Sequence, residues 1–266
     1  MATTAEYWTQ FEAWQRYANL SPKTIRRRER TLLRFAEHRD LATVTPTEIE
    51  TWLGSLDIEP QSRGQYLADL RAFWVWALDH EILTVDPAAR VKAPKRPTAD
   101  PDPIQVGPLM DAIDAAPERE KVMLTLAAFA GLRCIEISRL RLEDVDHAAM
   151  TLRVMGKGQK GRTIMMHPRV AAVLPERATG PAVSWRGEPI SERTISDRLS
   201  VYLHSRGIDA SAHKARHSYG TALYAACHDL KTVGKQLGHV SVNTTTGYVA
   251  ASDEDARAAI AKLYET

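Results

Sequence analysis

At 266 residues the chain is too long for one comfortable core and suits two modest domains. With 44% hydrophobic and 26% charged residues it is neither disordered nor fibrous, and no window approaches the ~18 to 20 apolar residues of a membrane span. Two cysteines, Cys134 and Cys227, and an N-terminus with neither basic leader nor apolar stretch point to a reduced, cytoplasmic protein. The net charge of +2, from 35 basic and 33 acidic residues, does not announce a nucleic-acid partner, so local clustering must carry that case.

In chain order, apolar residues at three- and four-residue spacing predict helices over 6–18, 22–39, 46–56 and 61–80. Ser21-Pro22 and Thr45-Pro46 mark two helix starts, each with a capping hydroxyl before a proline, and Glu48 completes a capping box with Thr45. Four prolines between Ala93 and Pro103 fix φ and remove donors, which predicts a linker at 93–103 between a domain at 1–92 and one at 104–266. In the second domain helices are expected over 105–116, 118–130 and 133–140. Alternating segments at 151–155 and 162–166 then flank Gly156-Lys-Gly-Gln-Lys-Gly161, which reads as a β-hairpin with a basic, glycine-rich tip. Helical patterns return at 192–204, 212–226, 230–236 and 253–263, the last within a tail helix at 252–266.

The second domain carries, in order, Gly131-Leu132-Arg133 with Glu136, then Gly156-Lys157-Gly158, His213-Lys-Ala-Arg216-His217, Leu237-Gly238-His239 and Thr245-Thr246-Gly247-Tyr248. A lone Gly-Leu-Arg is common, but five such elements in one order are specific. This set resembles that of the tyrosine recombinases, the phage integrases and Xer-type enzymes, including the nine-residue interval from His239 to Tyr248. In the first domain Leu20-Ser-Pro-Lys-Thr-Ile and Leu70-Arg-Ala-Phe-Trp-Val-Trp resemble the family's core-binding helices more weakly. Ala215 departs from the leucine frequent in the family at that place, which bears on packing and not on chemistry.

The resemblance implies a mainly α fold with a small β-hairpin: a helical SAM-like core-binding domain joined to a mixed α+β catalytic domain. It implies site-specific cleavage and rejoining of duplex DNA through a 3′-phosphotyrosyl bond, with no metal and no nucleotide cofactor. The implied partners are double-stranded attachment sites, three further copies of the chain in a tetramer on DNA, and optionally a directionality factor, in a bacterial host's cytoplasm at its nucleoid. Integration or excision of a phage or mobile element is the first expectation and Xer-type dimer resolution the alternative. Rivals are a type IB topoisomerase and a non-catalytic DNA-binding module. An additional arm-binding domain is expected to be missing.

Physical chemistry accounts for these residue types. Attack on a phosphodiester builds negative charge on the phosphorus oxygens, which Arg133 and Arg216 can meet with planar forks of donors that stay charged at any working pH. His213 and Arg216, three apart, share a helical face; His217 lies near it, but a zinc reading lacks an adjacent glutamate and a third ligand. Tyr248 must lose its proton as it attacks. By resemblance His213 is the base, His239 a hydrogen-bond donor to the phosphate, Lys157 the acid for the leaving 5′ oxygen, and Glu136 the acidic residue that orients the site. Lys160, in the same turn, is the alternative to Lys157, and His239 could instead serve only as a helix cap.

Over 22–39 the basic residues Lys23, Arg26, Arg27, Arg28, Arg30, Arg34 and Arg39 outweigh Glu29 and Glu37. Arg27, Arg30 and Arg34 form a stripe opposite Ile25, Leu32 and Ala36, which predicts a DNA-facing helix, with Arg63 and Arg71 on a second one. Phe73, Trp74 and Trp76 are expected in the core. The tail stripe of Ala256, Ala259, Ile260, Leu263 and Tyr264 needs a partner surface, in its own protomer or a neighbouring one.

Overall fold

The computed structural model describes residues 3–94, 104–156, 161–176 and 178–238. Most of the predicted linker, the hairpin tip with Lys157 and Lys160, and everything from His239 onward, including Tyr248 and the tail helix, lie outside the described residues. The chain divides into two compact units, Met1–Thr98 and Ala99–Thr266. Among the described residues, no helix is long and apolar enough to cross a membrane.

The first unit is four helices, α1 (Thr4–Tyr17), α2 (Pro22–Ala36), α3 (Pro46–Ser55) and α4 (Pro60–Asp79), followed by a 3₁₀ turn at Pro87–Arg90. Ser21 and Thr45 accept from Thr24 N–H and Glu48 N–H, so the first orphan donors of α2 and α3 are satisfied by the predicted caps. Helix α2 stops at Ala36, short of the predicted Arg39. The chain turns there to bury Leu41, and Arg39 Nη1 covers the freed Phe35 carbonyl at 3.1 Å. Phe11, Phe35, Phe73 and Trp74 are fully buried, with Trp76 nearly so, and meet mostly edge to face at centroid separations of 5.1 to 5.9 Å. At about 1.5 to 3 kcal/mol for each large apolar side chain buried, this cluster is a large contribution to the unit's stability. Trp74 meets its one polar obligation by donating Nε1–H to the Leu41 carbonyl at 3.1 Å.

The second unit is built around α6 (Glu118–Phe129), with Met123, Leu124, Leu126 and Ala127 fully buried. Packed against it are α5 (Val106–Asp114), α7 (Cys134–Arg139), α8 (Pro168–Val173), α9 (Glu192–Ser205) and α10 (Ala212–Cys227); α11 (Leu230–Leu237) follows on α10. A three-stranded antiparallel sheet runs β1 (Val145–Asp146), β2 (Thr151–Met155) and β3 (Gly161–Met165). In register, Leu152 faces Ile164 and Val154 faces Arg162. Strands β4 (Ser184–Trp185) and β5 (Glu188–Pro189) form a second small hairpin. Strands β1, β4 and β5 are not legible in the sequence, because two residues cannot display alternation, and α8 is not anticipated there. Ala215, where the family frequently has leucine, is fully buried in this core.

Candidate active site

Glu136 organises the site. It lies on the first turn of α7, its side chain is 1% exposed, and it accepts from three arginines carried by three different elements. Arg133, which precedes α7, gives its backbone N–H at 2.9 Å and Nη1 at 3.2 Å. Arg162 of β3 gives Nη1 at 2.7 Å and Nη2 at 3.2 Å, one to each carboxylate oxygen. Arg216 of α10 gives Nη1 at 3.5 Å. Burial pushes the Glu136 carboxyl up. The bonds from Arg162 and Arg133 and the charges of Arg162 and Arg216 outweigh it and hold the group below the usual carboxylate range.

The same guanidinium groups cap the C-terminus of α11. The carbonyls of its last turn have no intrahelical partner and carry the negative end of the helix dipole. Leu237 O receives Arg216 Nη2 at 2.8 Å and Arg133 Nη1 at 3.4 Å, and Gln236 O receives Arg162 Nε at 3.4 Å. Two glycines permit this. Gly131 sits at φ +62°, and a Cβ there would fall 2.5 Å from Tyr219 Cδ1 and 2.7 Å from Leu237 Cδ2. Its carbonyl also accepts from Arg216 Nη1. Gly238 sits at φ +67°, where a Cβ would fall 2.7 Å from Arg162 Cζ. The Gly-Leu-Arg and Leu-Gly-His motifs are thus steric requirements of one arginine cluster.

The two predicted catalytic arginines differ in access. Arg216 is 2% exposed, with Nη1 and Nη2 given to backbone carbonyls and Glu136, so it sits behind the site surface. Arg133 is 40% exposed, and among the described residues no bond engages its Nε or Nη2, so an open edge faces outward. One carboxylate among three arginines leaves an excess of positive charge held by fixed donors, an arrangement that favours a bound phosphate.

His213 lies on α10 one turn before Arg216, with an exposed edge, and its ring centroid is 5.9 Å from that of His217. Burial, then the charges of His217, Arg216 and Arg133, lower its pKa from the ordinary 6.5. His217 is lowered too, by burial and Arg216. A neutral imidazole beside fixed cations is the form able to accept a proton. The described residues contain no group of three His, Cys, Asp or Glu placed to hold a metal ion. Tyr219 is beside the cluster, but burial raises its hydroxyl pKa, which disfavours the phenolate a nucleophile needs.

In the first unit the structure redistributes the predicted basic stripe. Arg27 turns onto buried Asp69 of α4, with Nη2 to Oδ1 at 2.7 Å and Nε to Oδ2 at 2.9 Å. Thr31 and Gln65 also donate to Asp69, and Arg28 Nε lies 3.9 Å from it. Arg63 donates to the Leu56 carbonyl and Arg71 to those of Ala88 and Val91. The groups of Arg27, Arg63 and Arg71 thus hold elements together. Arg26, Arg30 and Arg34, at four-residue spacing, are exposed on one face of α2, and Lys23 is exposed near its start.

Sequence reasoning missed Arg162 and Asp69. Arg162 stands where strand alternation calls for an apolar core residue beside Leu152, Val154 and Ile164. Asp69 stands among the buried positions of α4. Each was detectable as a charge on a core face, which requires a buried partner.

The phage integrase family model matches residues 102–255. The chain is 30% identical over 256 residues to the tyrosine recombinase XerC of Chromohalobacter salexigens, covering 86% of this chain and 85% of the relative. It is 30% identical over 229 residues to XerD of Vibrio cholerae serotype O1, covering 78% and 76%. Among solved structures, the Tn1549 transposon integrase in complex with transposon right end DNA matches with TM-score 0.79 at 15% identity, over 98% of this chain and 99% of that one, which is a likeness of fold.

Proposed function

The chain belongs to the phage integrase family of tyrosine recombinases and is a site-specific recombinase, and from that premise we propose that Tyr248 is its nucleophile and the Arg133, Glu136, Arg216 cluster its phosphate site. The observation that carries the reading is the fixed excess of guanidinium groups around Glu136, with the open edge of Arg133 turned outward. A phosphodiester gains negative charge on its non-bridging oxygens as a fifth oxygen approaches phosphorus, and donors already in place stabilise that state without reorganising.

In the proposed reaction the Tyr248 oxygen attacks phosphorus and its proton passes to neutral His213. The bond to the 5′ oxygen breaks, and Lys157 protonates that leaving group. His239 donates to a phosphate oxygen. The product is a 3′-phosphotyrosyl bond and a free 5′ hydroxyl. A 5′ hydroxyl from the partner duplex reverses the step and restores a phosphodiester, so the bond energy is conserved. Duplex DNA is the substrate, held in part by Arg26, Arg30, Arg34 and Lys23 of α2, and the chain assembles as four protomers on paired sites, with a directionality factor as an optional partner.

The likeness to XerC and XerD, stronger in sequence than that to the transposon integrase, supports a second reading of the biological role: resolution of chromosome or plasmid dimers beside integration and excision of a mobile element. The chemical assignment is tested on duplexes that the purified chain selects from a random library, nicked so that the covalent complex is trapped. Tyr248→Phe keeps the ring and loses the oxygen, so it should bind the duplex normally and form no adduct that survives denaturant, while Tyr219→Phe should still form one. An adduct in Tyr248→Phe overturns the assignment.

A further inference from the structure

Arg162 carries an inference that deepens the proposed function and rests on it. Strand alternation places this residue on the core face of β3, opposite Val154 and beside fully buried Leu152 and Ile164. A guanidinium at such a place, 17% exposed, must find partners or cost several kcal/mol. It finds two, far away in the chain: Glu136, 26 residues before it, and the carbonyl of Gln236, 74 residues after it. The main chain of β3 reinforces this link, since Met165 N–H donates to the Gln236 side chain at 3.2 Å.

Arg162 therefore ties the base of the β2–β3 hairpin to the first turn of α7 and the last turn of α11. Lys157 lies between β2 and β3 in sequence, and His239 follows Gly238 directly. A carboxylate has about four acceptor sites, two on each oxygen. Arg162 takes one on each, beside Arg133 Nη1 on Oε1 and the Arg133 N–H and Arg216 Nη1 on Oε2, so the carboxylate is saturated and Arg133 is held to a single Nη1 bond with the Glu136 side chain. Without Arg162 a site opens on Oε1 beside Arg133, whose second guanidinium nitrogen can then turn onto Glu136 and withdraw the edge that faces outward.

We propose that Arg162 is a positioning residue. It acts through Glu136 and Gln236 to hold Arg133 open toward the phosphate and to register the hairpin against the end of α11.

The test uses the full chain and the nicked duplexes described above, with the duplex dissociation constant, the single-turnover rate of adduct formation at saturating duplex, and the melting transition measured for each variant. Arg162→Ala should slow adduct formation about tenfold to a hundredfold, the range typical when a residue that orients a reacting group is lost. Its duplex affinity should stay within about twofold, because the affected step is chemistry and not binding. Arg162→Lys keeps the charge without the fork and should recover part of the rate. In a Glu136→Gln background the further loss on Arg162→Ala should be small, because residues that act through one another are not additive.

An Arg162→Ala rate equal to wild type, a loss confined to duplex affinity, or a full multiplicative loss in the Glu136→Gln background would each overturn the inference. If Arg162→Ala does not melt as a folded protein, Arg162→Lys decides: a slowed rate at unchanged affinity supports positioning, and a wild-type rate overturns it. A wild-type chain that forms no adduct would overturn the recombinase assignment itself, and this inference with it, a result distinct from an active wild type matched by an equally active variant.

Discussion

At the scale of single residues, the site shares one carboxylate among three guanidinium groups and keeps an excess of positive charge. That arrangement also governs its titration. His213 has a depressed pKa, from burial and from His217, Arg216 and Arg133, so the folded chain takes up that proton only below 6.5, whereas the unfolded chain takes it up near 6.5. Protonation therefore favours the unfolded state as pH falls below that value, and in the folded state the neutral imidazole persists into mildly acidic solution. The rate of adduct formation should hold from about pH 8 to about pH 6.5 and fall below that, and His213→Gln should lower the rate and flatten this acid limb. A midpoint above pH 6.5 would show that the imidazole pKa is not depressed in the working site. Glu136 adds a second acid sensitivity. Its pKa is lowered, so the stability it contributes is present above the ordinary carboxylate value and is lost as pH falls through the lower folded one.

At the scale of elements, α2 separates two jobs along one helix. Arg27 faces α4 and meets Asp69, whose side chain is 2% exposed, whereas Arg26, Arg30 and Arg34 face outward. Changing Arg26, Arg30 and Arg34 together to Ala should leave the melting temperature nearly unchanged and weaken binding to every duplex. The slope of log affinity against log salt should fall by about 0.9 for each phosphate that is no longer neutralised. Arg27→Ala should do the reverse, costing on the order of 2 kcal/mol of stability with little change in the salt slope. That cost is below the value for a fully buried pair because Arg27 is itself 37% exposed and Thr31, Gln65 and Arg28 remain near Asp69. An unchanged salt slope in the triple variant would place the DNA on another face.

At the scale of the whole molecule, each unit has its own apolar core: the first is centred on Phe11, Phe35, Phe73 and Trp74, the second on α6. The apolar stripe of residues 252–266 lies beyond the described residues. A helix of about 12 residues, as the apolar spacing there predicts, would be too short to be stable alone in water and would need a surface to dock on. Because it follows Tyr248 closely, docking on a neighbouring protomer would couple nucleophile placement to assembly. Removal of residues 252–266 should leave binding of one protomer to one duplex site largely intact, while abolishing the multi-protomer complex and recombination, as read by gel shift on paired sites and by product formation. Normal assembly and recombination by the truncated chain would rule out exchange of the tail.

Most of the long elements were legible in the sequence, because amphipathic period and cap chemistry are local. Ser21-Pro22 and Thr45-Pro46 state where α2 and α3 begin, and the apolar spacing states which faces turn inward. The order of the site motifs was legible through their resemblance to a family, whereas the crowding at Gly131 and Gly238 comes from Tyr219, Leu237 and Arg162, distant in the chain. What the linear pattern could not contain were the partners of charges on core faces. That Arg27 belongs to Asp69 and Arg162 to Glu136, that Arg216 is buried while Arg133 keeps an open edge, and that three arginines close the end of α11 depend on contacts between segments from three to 104 residues apart. Only tertiary structure decided them, because a buried charge is satisfied by whichever opposite charge or carbonyl the packing of other elements brings within about 3 Å.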